Sequence, residues 1–296
     1  MTKPCRATRW RRPHCYHRLV TDPVLDDSYA LDSDTVDAYR RDGHAVVRGL
    51  ASSDELAVYA PAIESAALRH RYERRPLEER DTYGRAFLQV PNLWAHDQAV
   101  RRFVTARRFA KVAAELMGVD GVRLYHDQAL LKEPGGGHTP WHQDQNYWPL
   151  ATEHTITMWM PLVDVDEHMG AMTFASGTHR LGALGEHLIG DPSQAYFDEM
   201  VRERDLPLAT HAPMRAGDAT FHAGWTLHSA PANPTEVMRS VMTVIYFADG
   251  TLVGEIDHPA RSLDQQWWLA GRATGLPADG PGNPVLYHRL HEHDRS

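Results

Sequence analysis

After Gly118 the chain becomes a series of short β-type runs, and this texture limits its fold more than any other feature. The runs are Val122 to Leu131, Thr155 to Val165, Ala171 to Phe174, Ala219 to His222 and Ser240 to Phe247. Pro134-Gly135-Gly136-Gly137, Ser176-Gly177 and Ala216-Gly217-Asp218 separate them with turn residues. Many short strands bury their apolar faces by closing as a sandwich or jelly roll. The region before them reads as helical. Ser33 or Asp34 caps a helix that carries Val36 and Tyr39 and stops at Gly43. His44 to Leu50 is a short strand, and Ser52-Ser53-Asp54-Glu55 opens a second amphipathic helix. Residues 71 to 85 read as a charged surface loop. Asp97 to Gly118 reads as one helix, with Val100, Phe103, Val104, Val112, Ala113 and Leu116 at helical spacing. Residues 191 to 206 read as a polar helical insertion. The expectation is a mainly β fold with flanking helices.

Composition removes several classes of function. A net charge of −8 over 296 residues gives no general attraction for phosphate backbones, so nucleic acid is not an expected partner. No run of about 18 apolar residues is present, so no membrane span is expected. The two cysteines, Cys5 and Cys15, lie near the N-terminus and make no disulfide framework. The arginine-rich start lacks an apolar stretch behind it, so it does not read as a secretory leader. We expect a flexible or loosely docked tail over residues 1–30, a single domain over 31–296, and a cytoplasmic protein. The oligomeric state is not legible.

The chemistry concentrates in Pro140-Trp141-His142-Gln143-Asp144-Gln145-Asn146-Tyr147-Trp148. On a strand, residues two apart share a face, so His142 and Asp144 can grip one metal from one side. A later histidine would complete a two-histidine, one-carboxylate set, which leaves coordination positions open and suits non-haem Fe(II) oxygenases. With 19 histidines in the chain, one His-x-Asp carries little weight alone. The second half adds to it. Gly217-Asp218 enters a strand, His228 follows, and Arg239 begins the run Ser240 to Phe247. A forked, permanently charged guanidinium at an apolar strand suits a carboxylate partner. His222 competes with His228 for the distal position, and His228 has the better downstream context. His179 reads as stabilising its turn, and His288, His291 and His293 read as a solvated end.

These segments together resemble the phytanoyl-CoA dioxygenase family of Fe(II)- and 2-oxoglutarate-dependent oxygenases. The likeness runs from about residue 33 to 250. It is carried by Trp141-His142-Gln143-Asp144 with Tyr147 and Trp148, by Thr157 to Leu162, by Gly170 to His179, and by Gly217-Asp218 through His228 to Arg239. The resemblance implies a double-stranded β-helix (jelly-roll, cupin-like) core over about 119–250. It implies His142, Asp144 and His228 as iron ligands and Arg239 as the partner of the distal carboxylate of 2-oxoglutarate. It also implies O2 as a reactant, and Lys132, Trp159, Gln128 and Ser229 as neighbours of the co-substrate. Ser229 follows His228 directly, where the family often has Gly-Ser, and Met169-Gly170 stands where it often has Asn-Gly. Halogenating relatives replace the carboxylate that Asp144 retains, so halogenation is not expected.

The expected activity is hydroxylation of an unactivated C–H bond, with release of succinate and CO2. Desaturation, epimerisation or ring formation would use the same ligands. A metal-dependent hydrolase or isomerase on a cupin-like fold, which would not need Arg239, and a non-catalytic binding protein are the alternatives from other classes. Phe87, Trp94, Gln145, Tyr147, Trp148 and Trp225 are expected to wall the substrate, with residues 188–206 and Gln265 to Trp268 as lids. No basic cluster for a CoA phosphate stands outside the tail and the 69–85 loop. That favours a small or medium organic metabolite, such as one modified in secondary metabolism.

Overall fold

The computed structural model describes residues 23–291; the arginine-rich start, both cysteines and His293 lie outside them. The N-terminal part holds α1 (Ser33–Asp42), β1 (His44–Val47), α2 (Ser53–His70), α3 (Thr82–Ala86), β2 (Leu88–Pro91), α4 (Gln98–Val104) and α5 (Arg107–Met117). Then follow β3 (Gly121–Lys132), β4 (Thr139–His142), β5 (Thr155–Pro161), β6 (Thr173–Ala175), α6 (Asp191–Glu203) and β7 (Leu208–Thr210). The chain ends with β8 (Ala219–Ala223), β9 (His228–Ala230), β10 (Arg239–Ala248), α7 (Pro259–Trp268) and β11 (Val285–His288). No helix among the described residues is long and apolar enough to cross a membrane.

Local chemistry explains most of these boundaries. The α1 cap is Asp32, one residue before the expected Ser33, because its carboxylate accepts the Thr35 N–H at 2.7 Å. Gly43, at φ 80°, ends α1 by returning its N–H to the Tyr39 carbonyl. Ser52 and Glu55 form a reciprocal capping box on α2. The stretch expected as one helix over 97–118 is two, α4 and α5. Thr105 breaks it: its hydroxyl donates to the Arg101 carbonyl at 2.7 Å, and the backbone turns at Ala106. The strand expected over 44–50 stops at Val47, where Gly49 takes φ 62° and donates its N–H to Asp218. The 71–85 region is not wholly a surface loop, since α3 begins within it and buries Ala86.

Two antiparallel sheets carry the site. The larger has seven strands in the order β1-β8-β5-β10-β3-β11, with β2 also pairing β3; the smaller runs β4-β9-β6-β7. Thus β1, β2 and β11 join the large sheet from outside the 119–250 stretch. Alternation sorts the large sheet's side chains. Ile156, Met158 and Met160 of β5, with Met242, Val244 and Tyr246 of β10, share the apolar cluster that includes Phe109, Val112, Ala113 and Leu116 of α5. Each large apolar side chain buried there contributes about 1.5–3 kcal/mol. The alternate residues Thr157, Trp159, Thr243 and Ile245 line a cavity instead.

On β3 the alternation changes phase. Val122 and Leu124 join the helix-side cluster, whereas His126, Gln128 and Leu130 line the cavity. A β-bulge is the cause: Ile245 pairs His126 and Tyr246 pairs Leu124, which leaves Tyr125 as an extra residue. One added residue moves every later side chain to the other face. Tyr125 and His126 are therefore consecutive residues on one side of the sheet, their rings 5.0 Å apart.

Gly217 ties the helical layer to the sheet. It takes φ 90°, and its carbonyl accepts the Ala51 N–H at 3.0 Å. A Cβ there would overlap the Ala51 carbonyl oxygen. Gly217→Ala is expected to cost about 2–4 kcal/mol. Thermal unfolding checks this, and an unchanged Tm would refute it.

Candidate metal centre

β4 and β9 pair antiparallel with His142 opposite His228, which brings the two ring centroids to 4.1 Å. Asp144 arrives by another route than the expected shared strand face. β4 ends at His142, and Asp144 opens a one-turn 3-10 helix, Asp144–Asn146. The result is the same convergence. Asp144 Oδ1 lies 3.6 Å from His142 Nε2 and 3.8 Å from His228 Nε2. One ligand atom from each of the three residues falls within 4.8 Å of the others, and among the described residues no other set of three His, Cys, Asp or Glu does so.

The protonation pattern suits a cation. His142 Nδ1 lies 2.8 Å from the Pro140 carbonyl, and His228 Nδ1 lies 2.9 Å from the Thr226 carbonyl. A carbonyl only accepts, so each Nδ1 carries the proton and each Nε2 offers its lone pair to the centre. Burial pushes both imidazoles below their ordinary pKa, His228 strongly, which keeps them neutral. Burial alone would raise Asp144, but it is held well below the usual carboxylate range, with His222 Nε2 and the Thr157 hydroxyl facing its Oδ2 as donors. Two neutral imidazoles and one carboxylate are the donor set that Fe(II) accepts, with positions left open.

His222 is the fourth group at the centre. It is 1% exposed, and its Nε2 faces Asp144 Oδ2 at 3.3 Å, where Thr157 Oγ1 also donates at 2.9 Å. It holds the outer oxygen of Asp144 and leaves Oδ1 to the two ligand-type histidines. His222→Leu is expected to weaken Fe(II) binding by about 10–100-fold through misorientation of Asp144. Metal titration by calorimetry is the check, and an unchanged affinity would remove His222 from this role.

The centre opens into a cavity of about 320 Å³ lined from both sheets. Arg239 stands in its wall, 1% exposed. It starts β10 in the large sheet, whereas His228 starts β9 in the small one, so the two reach one cavity from opposite sheets. Arg239 donates to the Gly170 carbonyl at 2.6 Å and lies 5.2 Å from the Trp159 ring centroid. Its Nε has no partner, and no described carboxylate pairs with it. Burial pushes the guanidinium down to about 9, still charged at neutral pH. A buried cation without an anion is costly, and a carboxylate entering the cavity would relieve that cost. The donor set and this orphaned guanidinium together fit an iron ion and a dicarboxylate.

The structure brings Gln128, Trp159, Ser229, Phe87, Tyr147 and Trp148 to the cavity wall. It does not bring Lys132, Trp94, Gln145 or Trp225 there. Lys132 is wholly buried and donates to Gly137 O and Thr139 Oγ1; burial, then the nearby Arg239 charge, pushes its pKa down to about 6. Gln145 turns into the sheet, where its carboxamide bonds Thr155 and the Thr152 carbonyl. Trp94 packs under the Arg101 guanidinium, and Trp225 offers its backbone carbonyl to Gln143. Of the lid stretches, Ile189, Trp267 and Trp268 reach the wall. Sequence reading missed Tyr83, Gln89, His126, Thr157 and Asp264, which also line it. Thr157 was recoverable, two residues before Trp159 on one strand. Tyr83, in the supposed loop, donates to Gln89, which donates in turn to Gln128.

Comparison with known proteins gives a consistent picture. The family model described as phytanoyl-CoA dioxygenase (PhyH) matches residues 39–241. A probable alpha-ketoglutarate-dependent hypophosphite dioxygenase of Stutzerimonas stutzeri is 25% identical over 167 residues, or 54% of this chain and 57% of that protein. The chain thus spans little more than half the length of that curated relative. The crystal structure of the epimerase SnoN with Fe3+, alpha ketoglutarate and nogalamycin RO is similar at TM-score 0.69 and 27% identity, covering 86% of this chain and 98% of that one. The non-heme alpha ketoglutarate dependent carbocyclase SnoK from nogalamycin biosynthesis is similar at TM-score 0.71 and 25% identity, covering 87% of this chain and 97% of that one.

Proposed function

The chain belongs to the phytanoyl-CoA dioxygenase family, and from that premise we propose that it is an Fe(II)- and 2-oxoglutarate-dependent oxygenase acting on a C–H bond of a small or medium organic metabolite. One observation supports this above the others. A two-histidine, one-carboxylate donor set and a fully buried guanidinium without a carboxylate partner share one cavity. The antiparallel sheets that meet at the cavity are read as the walls of a double-stranded β-helix, within one domain over 31–296.

Held by these residues, iron with 2-oxoglutarate would supply the oxidising power for attack on a C–H bond, drawing on O2 and releasing succinate and CO2. The chain's own residues do the rest. His142, Asp144 and His228 hold the metal, with imidazole protons fixed on Nδ1 by backbone carbonyls. Thr157 and His222 keep Asp144 turned so that one oxygen faces the centre. Arg239 takes the far carboxylate of the co-substrate and so sets its direction; Ser229, Gln128 and Trp159 line its bed. Phe87, Tyr147, Trp148, Trp267 and Trp268 present the substrate and exclude water from the reacting carbon.

Hydroxylation is the principal reading. Epimerisation or ring formation is the second, favoured by the likeness to SnoN and SnoK. The test begins with an anaerobic titration of metal-free protein with Fe(II), then 2-oxoglutarate. A visible charge-transfer band that needs both additions is the expected result. Iron binding without a band would instead favour a hydrolase or isomerase. Substrates are then found by stimulated succinate release. A product that gains one oxygen marks hydroxylation, and an isomeric or dehydrogenated product marks the second reading.

A further inference from the structure

The substrate end of the cavity holds a carboxylate that the proposed oxygenase machinery does not use. Asp264 lies on α7 and lines the cavity together with Trp267 and Trp268 of the same helix. None of its side chains is fully buried, and Asp264 and Trp268 are half-buried against the sheet. It is fastened at its N-terminal end to the metal-bearing turn, where Arg261 and His258 reach the Asn146 carbonyl at 3.2 and 2.9 Å. Asp264 is held from the sheet by the Tyr125 hydroxyl, which donates to Oδ2 at 3.0 Å. The next residue on the bulge, His126, stacks on Trp268 with centroids 4.5 Å apart, and its Nδ1 has no partner. Thus the β-bulge that places Tyr125 and His126 side by side also builds this subsite.

No described lysine or arginine forms an ion pair with Asp264, and Arg261, one turn earlier, pairs with Asp257 at 3.2 Å. Burial pushes Asp264 up to about 7 against hydrogen bonds from Tyr125 and Trp268. Its surroundings are aromatic: Tyr147, Trp148, Trp267 and Trp268 stand in the same wall. A carboxylate among aromatic rings is the recognition chemistry of an organic ammonium group. An anionic substrate meets the reverse. Among the described residues, the one guanidinium in the cavity wall stands at the co-substrate end, and Lys132 turns away.

We propose that Asp264, with the indoles of Trp267 and Trp268, anchors a protonated amine carried on an aromatic or otherwise ring-shaped body, and that this protein's substrate is such an amine. The proposal deepens the oxygenase reading and rests on it for the meaning of the substrate. Tyr125 and His126 position the site: Tyr125 fixes the carboxylate, and His126 fixes the Trp268 ring. The cavity of about 320 Å³ stands at the small end of ligand pockets. With co-substrate at one end, it admits the reacting part of the amine, and the exposed Trp267 in its wall marks the side on which the remainder would reach solvent.

The test uses the full chain under anaerobic conditions with Fe(II) and 2-oxoglutarate. Tryptamine and its hydroxyl counterpart tryptophol are the probes, and calorimetry measures their binding. The wild-type protein is expected to bind tryptamine about tenfold or more tightly than tryptophol, and Asp264→Asn to lose that preference. Equal affinity for the two probes, binding of neither, or a preference that survives in Asp264→Asn overturns the proposal. The charge-transfer band, formed in Asp264→Asn as in the wild type, reports that the variant is folded with an intact metal centre. If the variant does not fold, the wild-type preference decides alone. A preference for tryptamine in a protein that gives no band would leave the amine site standing and sink the oxygenase reading instead.

Discussion

Arg239→Met is expected to abolish the charge-transfer band given by Fe(II) and 2-oxoglutarate while leaving Fe(II) binding intact. Among the described residues the guanidinium is the one cationic side chain other than histidine in the cavity wall. Methionine keeps the packing against Trp159 and removes the charge. Losing one partner of a buried charge pair costs about 2–5 kcal/mol, so co-substrate affinity is expected to fall by about 30-fold or more. The effect on the protein without co-substrate has the opposite sign. There Arg239 is a buried charge with one neutral acceptor, the Gly170 carbonyl, and an unpartnered Nε. Replacing it by an apolar side chain of similar length is therefore expected to leave Tm unchanged or raise it. The two signs together separate a binding role from a structural one. Full 2-oxoglutarate affinity in Arg239→Met would end the co-substrate assignment. A large loss of Tm would show that the arginine serves the fold.

His228→Ala is expected to lose Fe(II) binding by more than the 10–100-fold forecast for His222→Leu. His228 is 4% exposed and lies opposite His142 in the β4–β9 register. Its loss deletes a neutral nitrogen donor whose direction is set by the Thr226 carbonyl, and no other described residue takes its place in the three-ligand set. His222, though its centroid is only 4.4 Å from that of His228, spends its Nε2 on Asp144. The ordering of the two variants is the informative quantity. Iron content after dialysis and calorimetric titration measure it. If His222→Leu lost more iron than His228→Ala, the distal ligand would be His222.

The three residues that converge, His142, Asp144 and His228, were legible as a group because their signals are local. His142 and Asp144 are two residues apart, and His228 follows a turn-to-strand entry marked by Gly217-Asp218. Arg239 was legible for a physical reason as well, since a charge at the head of an apolar strand needs a partner. The alternation of β5 and β10 gave their two faces, and Gly43, Ser52 and Gly118 set helix ends by capping chemistry that depends on a few neighbouring residues.

What the sequence by itself determined, then, is the donor set, the basic residue opposite it, and a β-rich core with helices before it. Tertiary structure decided the rest. Asp144 converges with His142 through a 3-10 turn, and His228 and Arg239 meet from different sheets. Lys132, Trp94 and Gln145 turn away because each side chain meets its polar or stacking partners elsewhere, and Trp225 also stands outside the wall. The bulge at Tyr125 has no sequence mark, yet it reverses the facing of β3 and delivers His126 and Gln128 to the cavity. Asp264 joins a site 120 residues distant in sequence from Asp144 only because α7 folds back onto the Asp144–Asn146 turn. The physical reason is common to all of these. Capping, alternation and charge burial act within a few residues, whereas register, bulges and helix docking are fixed by contacts between segments that the chain order does not bring together.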